Sequence, residues 1–268
     1  KYENVTPLFE PFARNTFGAV LLTVKYLIEN KIDDTILFLP SDHLIKNTTL
    51  FIEDIENAIK ISKEKNILIT FGTTPKYAET GYGYIRTSRL VEDTINLYGV
   101  KGFKEKPDLQ LANYYLMSDK YFWSCGISVF NVELFLFELK NSQYAYLYDD
   151  LVSLSFDDWL LKFENIPNIP FEKAIIENCR NIAMIKIKFD WSDVGSWQSY
   201  FESLNGNYDK SNVVFIDSSD INVLSDKKTI IIGLDDITVV NCDEGLLIMK
   251  NGNDQKLKDA FLQFKDKK

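Results

Sequence analysis

The chain has 268 residues, 46% of them hydrophobic and 26% charged, and carries a formal net charge of −9. That length can bury a sizeable core in one large domain with a smaller companion, and the composition is that of an ordinary soluble globular protein. The acidic balance argues against a nucleic-acid-binding surface, which needs a basic patch to hold phosphates, but is compatible with a local basic pocket for a small phosphorylated substrate.

Cys125, Cys179 and Cys242 are odd in number, widely spaced and without metal-ligand spacing, which fits a reducing, cytoplasmic setting. No apolar run is long enough to span a bilayer, and the opening K-Y-E-N-V does not read as a signal peptide. His43 is the single histidine, so Ser-His-Asp chemistry and histidine-based metal sites are disfavoured. A metal here calls for carboxylate ligands.

Residues 1–9 read as extended, with Val5, Leu8 and Phe9 around Pro7. Asn15 and Thr16 offer an N-cap for a helix carrying Ala19, Val20, Leu21, Leu22, Leu27 and Ile28. Residues 35–43 read T-I-L-F-L-P-S-D-H, and Ile36 to Leu39 form the continuous apolar run expected of a strand buried on both faces. Pro40 stops that run, since it brings no N–H to a ladder. Asp42 then falls where an open α/β sheet places its ligand crevice. Two readings stand for it: a ligand for a hard divalent cation, or the cap of a following helix.

Asn47 to Thr49 predict the cap of a second helix running to Lys65, with Phe51, Ile52, Ile55, Ala58, Ile59 and Ile61 roughly on one stripe. Residues 67–71 form a second buried strand. Helix–strand–helix–strand order implies parallel strands joined by right-handed crossovers. Residues 72–84 carry three glycines and a proline and read as a long loop of the kind that is often functional, leading into a strand at 84–87. A short strand over 100–105 stops at Lys106 and Pro107. A helix at 108–117, an apolar segment at 121–130 and a helix at 132–140 follow, and the tyrosine-rich 141–156 reads as irregular and helical. A helix over 171–179 precedes a strand at 183–188, which ends in F-D-W-S-D-V-G-S-W. This is the second apolar strand that terminates in carboxylates, Asp190 and Asp193.

After Asn205, Gly206 and Asn207 the texture changes. Five short β-rich runs (213–216, 221–224, 229–232, 237–240 and 245–249) recur at intervals of roughly 8–12 residues. Leu257, Ala260, Phe261 and Phe264 close the chain at helical spacing. The domain boundary is therefore placed between 1–206 and 207–268, with no strict internal repeat in the letters.

Four motifs now stand in order: L-P-S-D-H, T-G-Y-G-Y-I, F-K-E-K-P and W-S-D-V-G. With E-P-F-A-R-N-T at residues 10–16, C-G-I-S-V-F at 125–130 and A-I-I-E at 174–177, they resemble the mannose-1-phosphate guanylyltransferases, within the nucleotide-sugar pyrophosphorylases. The resemblance runs from Leu8 to the terminal helix, where D-Q-K-L-K fits the family's ending. It implies a Rossmann-like, mostly parallel α/β nucleotidyltransferase domain with a small β-rich module of the left-handed β-helix kind, assembled as a homodimer. The reaction it implies joins mannose 1-phosphate to GTP, giving GDP-mannose and pyrophosphate with Mg²⁺.

By this resemblance Asp42 and Asp193 hold the Mg²⁺ and, with Lys106, carry catalysis. Glu10, Arg14, Asn15, Pro40 and Asp42 bind the nucleotide, and Gly81, Tyr82, Gly83, Glu105, Lys106, Ser124 and Gly126 bind the sugar phosphate. The residue chemistry agrees. A carboxylate accepts sugar hydroxyls, a lysine pairs with phosphate as a point charge, and a glutamate accepts from guanine's N1–H and amino group. Glycine lets backbone approach a ligand closely. Plain alternatives stay open: a turn for Gly81 and Gly83, a surface ion pair for Arg14, a helix cap for Asp193.

Two departures stand out. The family's N-terminal glycine-rich loop with its triphosphate-holding basic residue has no counterpart in these residues, so the expectation is a chain lacking at least one βα unit and weak or absent catalysis as it stands. Ser124-Cys125-Gly126 also replaces the usual Asn-Ser-Gly, which keeps another sugar 1-phosphate, such as a manno-heptose, in play. A non-catalytic nucleotide-sugar-binding protein is the rival of a different class. A fused isomerase is not expected.

Overall fold

The apolar runs and capped segments fold as alternating strands and helices in a computed structural model of the protein, which describes residues 5–91, 96–254 and 256–265. Residues 1–4 of the expected extended start, Gln255 of D-Q-K-L-K and the side chain of Phe264 lie outside the described residues. The chain divides into two units, Lys1–Ser41 with Ile45–Trp191, and Asp42–Leu44 with Ser192–Lys268.

The first part of the chain forms α1 (Asn15–Glu29), β1 (Thr35–Phe38), β2 (Leu44–Lys46), α2 (Thr48–Lys65), β3 (Leu68–Thr73), β4 (Tyr84–Leu90) and β5 (Leu97–Lys104). There follow α3 (Leu109–Leu116), β6 (Tyr121–Asn131), α4 (Val132–Lys140), α5 (Tyr148–Ser153), α6 (Phe156–Leu160), α7 (Phe171–Ala174), β7 (Ile182–Lys186) and β8 (Asp190–Ser192). Six strands make one sheet in the order β1-β6-β3-β7-β5-β4, and β2 with β8 makes a separate two-stranded ribbon. β3 and β7 are parallel neighbours, while β6 runs antiparallel to both β1 and β3. β1 and β3 thus share a direction, as the helix–strand order implies, but β6 is inserted between them. Only a pairing distant in sequence makes that insertion, so no local pattern announces it.

The expected burial of residues 36–39 on both faces does not hold. β1 ends the row of strands, Ile36 is its buried residue, and Leu39 is 41% exposed. β3, with a neighbour on each side, shows the buried run instead. Both faces of the sheet are covered. Phe17, Val20, Leu21 and Val24 of α1 share one core cluster with Phe130, Phe135 and Phe171. Ile55 and Ala58 of α2 share another with Ile69, Phe71 and Ile127. Along β7, Ile182 and Met184 enter the first cluster and Ala183 and Ile185 the second, the alternation of a strand sandwiched between layers. Each such aliphatic or aromatic side chain contributes about 1.5–3 kcal/mol on leaving water. Cys125 and Cys179 are buried, and Cys242 is exposed.

Local chemistry explains most helix ends. Asn47, in the left-handed region, caps α2 by accepting the Leu50 N–H at 3.3 Å, and Asp108 caps α3 by accepting the Leu111 N–H at 2.8 Å. Asn15 differs from expectation. It is the first residue of α1, with φ of 57°, and its side chain accepts the neighbouring Thr16 N–H at 2.8 Å, so Arg14 occupies the cap position. The helix expected over 171–179 is also shorter. α7 stops at Ala174 because Ile175 (φ −123°, ψ −53°) leaves the helical ladder, and a 3₁₀ turn over Ile176–Asn178 follows.

Beyond β8 come α8 (Trp197–Ser203), β9 (Val213–Ile216), β10 (Ser219–Ser225), β11 (Thr229–Ile232), β12 (Asp235–Cys242), β13 (Gly245–Lys250) and α9 (Lys256–Lys265). The runs read at 213–216 and 229–232 appear with those limits, and the other three are longer. β9 pairs in parallel with β11, and β10 with β12, Val213 lying opposite Thr229 and Ser219 opposite Asp235. The ladder therefore repeats every 16 residues, as in the Ser219–Asp235 and Asn241–Ser225 hydrogen bonds. Turn residues repeat with it: Asp217 and Gly233 have φ of 48° and 66°, Asp220 and Asp236 of 52° and 58°. A repeat thus exists in the backbone where none was read in the letters. Only the inward pairs Ile221/Ile237 and Val223/Val239 must match in kind, since they fill the small core. The antiparallel hairpin of β12 with β13 ends the stack.

Candidate active site

The loop before β4, the end of β5 and the middle of β6 are brought together by two backbone bonds, and a side chain from the turn after α7 holds the end of β5. The Lys106 N–H donates to the Tyr82 carbonyl at 3.2 Å, the Ser124 N–H donates to the Gly83 carbonyl at 2.8 Å, and the Glu105 N–H donates to Glu177 Oε1 at 3.0 Å. Gly83 is packed so closely that a Cβ would stand 2.6 Å from Phe103 Cζ and 2.8 Å from Glu105 Oε2. Its glycine answers to close approach and not to a left-handed turn. The Gly81 N–H donates to Glu79 Oε1 at 2.7 Å. Tyr82 sets its ring edge-on to Trp123 and Trp191, with centroids 5.1 and 5.5 Å away. Gly126 has φ of 67°, in the stretch of β6 where its register against β3 shifts.

At the centre of this group Glu105 is largely enclosed, its side chain 14% exposed, while the Lys106 ammonium stands 3.6 Å from Glu105 Oε1 and is 60% exposed. Lys106 is held at φ of 44°, outside the region a lysine prefers. Burial pushes the Glu105 carboxyl above its ordinary range, against the opposing pull of Lys106. A carboxyl and an ammonium on adjacent residues, one enclosed and one open, suit a ligand with hydroxyls at one end and phosphate at the other.

Glu172 joins this site, a residue that sequence reasoning passed over. The Thr16 hydroxyl stands 3.4 Å from Glu172 Oε2 as a donor and accepts the Phe171 N–H at 2.7 Å. Burial first, and then the charge of Glu105, raise the Glu172 carboxyl from 4.5 to about 7. Its one local signal was its place in P-F-E-K before A-I-I-E, which reads equally well as a helix start. A raised carboxyl means that the folded chain holds its proton more tightly than the unfolded chain does. The stability it contributes is full below pH 4.5 and is lost as pH rises through about 7. The melting temperature of the wild type is therefore expected to fall across that window, and Glu172→Gln to flatten the fall by an equivalent of up to about 3 kcal/mol. Thermal melts of both proteins at stepped pH check this, and parallel profiles would overturn it.

The stretch matched to base recognition lies at the start of α1. Glu10 Oε1 would meet a Gly18 Cβ at 2.7 Å, so this glycine too is set by close approach, and burial raises the Glu10 carboxyl. Among the described residues the Arg14 guanidinium makes no ion pair. It donates through Nη2 to the Glu164 carbonyl at 2.5 Å, stands 5.6 Å from the centre of the Phe12 ring, and buries its Nε without a partner. Asn15 is exposed and Pro40 half-buried. Thr16 beside Glu172 links this stretch to Glu105 and Lys106 within one unit.

The two aspartates read as metal ligands both belong to the second unit. Asp42 is 85% exposed, with His43 Nε2 at 4.0 Å from its Oδ1. Because Leu44–Lys46 is a strand, Asp42 caps no helix there. Asp193 is half-buried and its Oδ1 accepts the Gly195 N–H at 3.0 Å. It is not the cap of α8 either, since Ser196 fills that role in a reciprocal capping box with Ser199.

The profile of the nucleotidyl transferase family matches residues 1–209. The chain belongs to the nucleotidyl transferases. It is 32% identical over 264 residues to a putative mannose-1-phosphate guanylyltransferase of Vibrio cholerae, covering 94% of this chain and 56% of that protein. To the mannose-1-phosphate guanylyltransferase 2 of Escherichia coli O157:H7 it is 28% identical over 275 residues, with 94% and 56% covered. This nucleotidyl transferase chain spans about half the length of the curated relatives it matches. A solved structure described as a mannose-1-phosphate geranyltransferase from Thermus thermophilus shares its fold, with a TM-score of 0.78 at 21% identity, covering 96% of this chain and 77% of that one.

For a nucleotidyl transferase the donor set of Asp42 and Asp193 is the right kind for a hard divalent cation, two carboxylates with oxygen lone pairs to give. Among the described residues no three His, Cys, Asp or Glu side chains gather as a metal site. A cation there would draw its other ligands from phosphate oxygens and water, as such ions commonly do. Among the described residues no helix is long and apolar enough to cross a membrane.

Proposed function

We propose that this nucleotidyl transferase moves a guanylyl group from GTP to a sugar 1-phosphate, with mannose 1-phosphate the first choice, forming GDP-mannose and releasing pyrophosphate. The observation that carries the reading is the joining of Lys106 to Tyr82 and of Ser124 to Gly83 by backbone bonds, with Glu105 packed against Gly83, around one enclosed carboxyl and one open ammonium. Relatives named for this reaction support it. A phosphate oxygen of the sugar 1-phosphate attacks the α-phosphorus of GTP, and the bond from that phosphorus to the bridging oxygen of pyrophosphate breaks. Little covalent work falls to the protein, and positioning and charge neutralisation do most of it.

In this reading Lys106 pairs with the sugar's phosphate and Glu105 accepts its hydroxyls. Gly81, Tyr82, Gly83, Ser124 and Gly126 line the sugar-phosphate end, and Glu10, Arg14, Asn15 and Pro40 the nucleotide end. Asp42 and Asp193 would hold Mg²⁺, which supplies neutralisation of the phosphate charge when bound. The catalytic domain is taken as 1–206, with 207–268 a left-handed β-helix module supporting a homodimer in the cytoplasm. For the dimer, support comes from the outward residues of β9 and β11, where Val214, Ile216, Ile230 and Ile232 are 46–67% exposed side by side.

Ser124 supports a second reading within the same chemistry. A hydroxyl lacks the paired donor and acceptor of an amide, so a different sugar 1-phosphate, such as a manno-heptose, stays compatible with the site. Pyrophosphate release by the full-length protein, measured over a panel of triphosphates and sugar 1-phosphates, separates these. GTP is expected to exceed ATP, UTP and dTTP by at least about tenfold, the worth of one or two hydrogen bonds to the base. Equal rates with all four would sink the guanylyl assignment. No release with any pair would favour a nucleotide-sugar-binding protein.

A further inference from the structure

The turn that carries Asp193 is strained and tightly held. Val194 has φ of 50°, a left-handed conformation that a β-branched residue seldom adopts, and Gly195 is so close to the aspartate that a Cβ would stand 2.5 Å from Asp193 Oδ2. Strain of this kind persists only where the surroundings over-determine it. Three of the restraints are local. The Val194 N–H donates to Ser192 Oγ at 3.1 Å, the Gly195 N–H donates to Asp193 Oδ1 at 3.0 Å, and Ser196 and Ser199 cap each other at 3.0 Å. The first ties the start of the turn to β8, the other two travel with the turn, and none of them holds its far end.

The fourth restraint comes from beyond the β coil. Asp254, between β13 and α9, accepts the Trp197 N–H through Oδ1 at 2.6 Å, a short bond of the charge-assisted kind. Trp197 is the first residue of α8, two places past Gly195. Asp254, Val194, Gly195, Ser196 and Trp197 also line one cleft, so the carboxylate meets the turn and the start of the helix together. Asp193, the turn, α8 and Asp254 all belong to one unit.

We infer that Asp254 is a positioning residue for Asp193, fixing the start of α8 and with it the strained turn in the one orientation that offers the Asp193 carboxylate to a cation. The inference rests on reading Asp193 as a metal ligand, and it gives the C-terminal segment a part in catalysis although it follows the transferase motifs in the chain. Groups hydrogen-bonded directly to a metal-ligating side chain tune metal affinity by about 10–100-fold, and a hold on the backbone beside it falls at the low end of that range.

The test uses the full-length protein with Asp254→Ala and Asp254→Asn, the second keeping an oxygen that can accept the Trp197 N–H. Amide hydrogen exchange at Val194, Gly195 and Trp197 reads the hold on the turn without any metal. Mn²⁺ in the presence of GTP, followed by electron paramagnetic resonance, reads the affinity. Asp254→Ala is expected to speed exchange at these amides and to weaken Mn²⁺ binding, each by about tenfold, with the KM for the sugar 1-phosphate unmoved. Asp254→Asn is expected to recover most of both. If Asp254→Ala does not fold, Asp254→Glu, which keeps the acceptor but displaces it by one methylene, carries the same comparison. Faster exchange with unchanged Mn²⁺ affinity would make Asp254 a helix cap and nothing more. Unchanged exchange would overturn the restraint itself. Full Mn²⁺ affinity in Asp193→Asn would instead remove Asp193 as a ligand, and the exchange data would tell that failure from the other two.

Discussion

In the full-length protein, under the proposed reaction, Asp193→Asn is expected to lower Mg²⁺-dependent pyrophosphate release by at least about 100-fold, the scale on which loss of one preorganised electrostatic partner acts. The same substitution leaves the melting temperature within about 2 °C of the wild type. The asymmetry follows from the bonds at the site. Asp193 Oδ1 accepts the Gly195 N–H, and the asparagine carbonyl occupies the same place, so the strained turn at Val194 keeps its restraint. The negative charge that a hard cation requires is what disappears. Release assays over a Mg²⁺ titration, beside calorimetric melts, read the two arms. Turnover like that of the wild type would take Asp193 out of the site.

Gly83→Ala acts on both stability and binding. The added methyl would stand 2.6 Å from Phe103 Cζ and 2.8 Å from Glu105 Oε2, and Phe103 is itself buried. The Gly83 carbonyl accepts from Ser124 and the Tyr82 carbonyl from Lys106, so the backbone has little freedom to retreat. Overpacking of this type costs about 1–3 kcal/mol, which in a chain of this size lowers the melting temperature by roughly 3–10 °C. What gives way is Glu105, and the KM for the sugar 1-phosphate is expected to rise at least about tenfold while that for GTP stays within about twofold. Native melting with an unchanged KM would show that the glycine is dispensable and that Glu105 does not bind through the orientation seen here.

The residues gathered at this candidate site are for the most part ones the sequence motifs single out. The motifs T-G-Y-G-Y-I and F-K-E-K-P and the triplet Ser124-Cys125-Gly126 put Gly83, Lys106 and Ser124 on separate segments, and each residue type suggested its chemistry. Glu172 was not legible. In P-F-E-K it looks like the first turn of a helix, and its raised carboxyl comes from burial and from Glu105, which follows β5 far back in the chain. Arg14 was open between ligand contact and surface ion pair, and the Glu164 carbonyl it meets lies far along the chain. A side chain's type is local information, whereas its desolvation and its partners are not.

The amino-acid sequence by itself determined the α/β class, the capped second helix ended by Asn66, the break in texture after Asn207 and two of the β runs to the residue. These depend on contacts within a few positions: apolar periodicity, caps and turn residues. Tertiary structure alone decided that β6 lies between β1 and β3, which leaves β1 at the end of the sheet with Leu39 exposed. It alone set the 16-residue ladder of the β coil, placed Asp42–Leu44 in the unit of Asp193, and tied Asp254 to the turn beside that aspartate. Each of these is a pairing between segments far apart in the chain, selected by which faces can be buried together, and that choice is made by the whole fold.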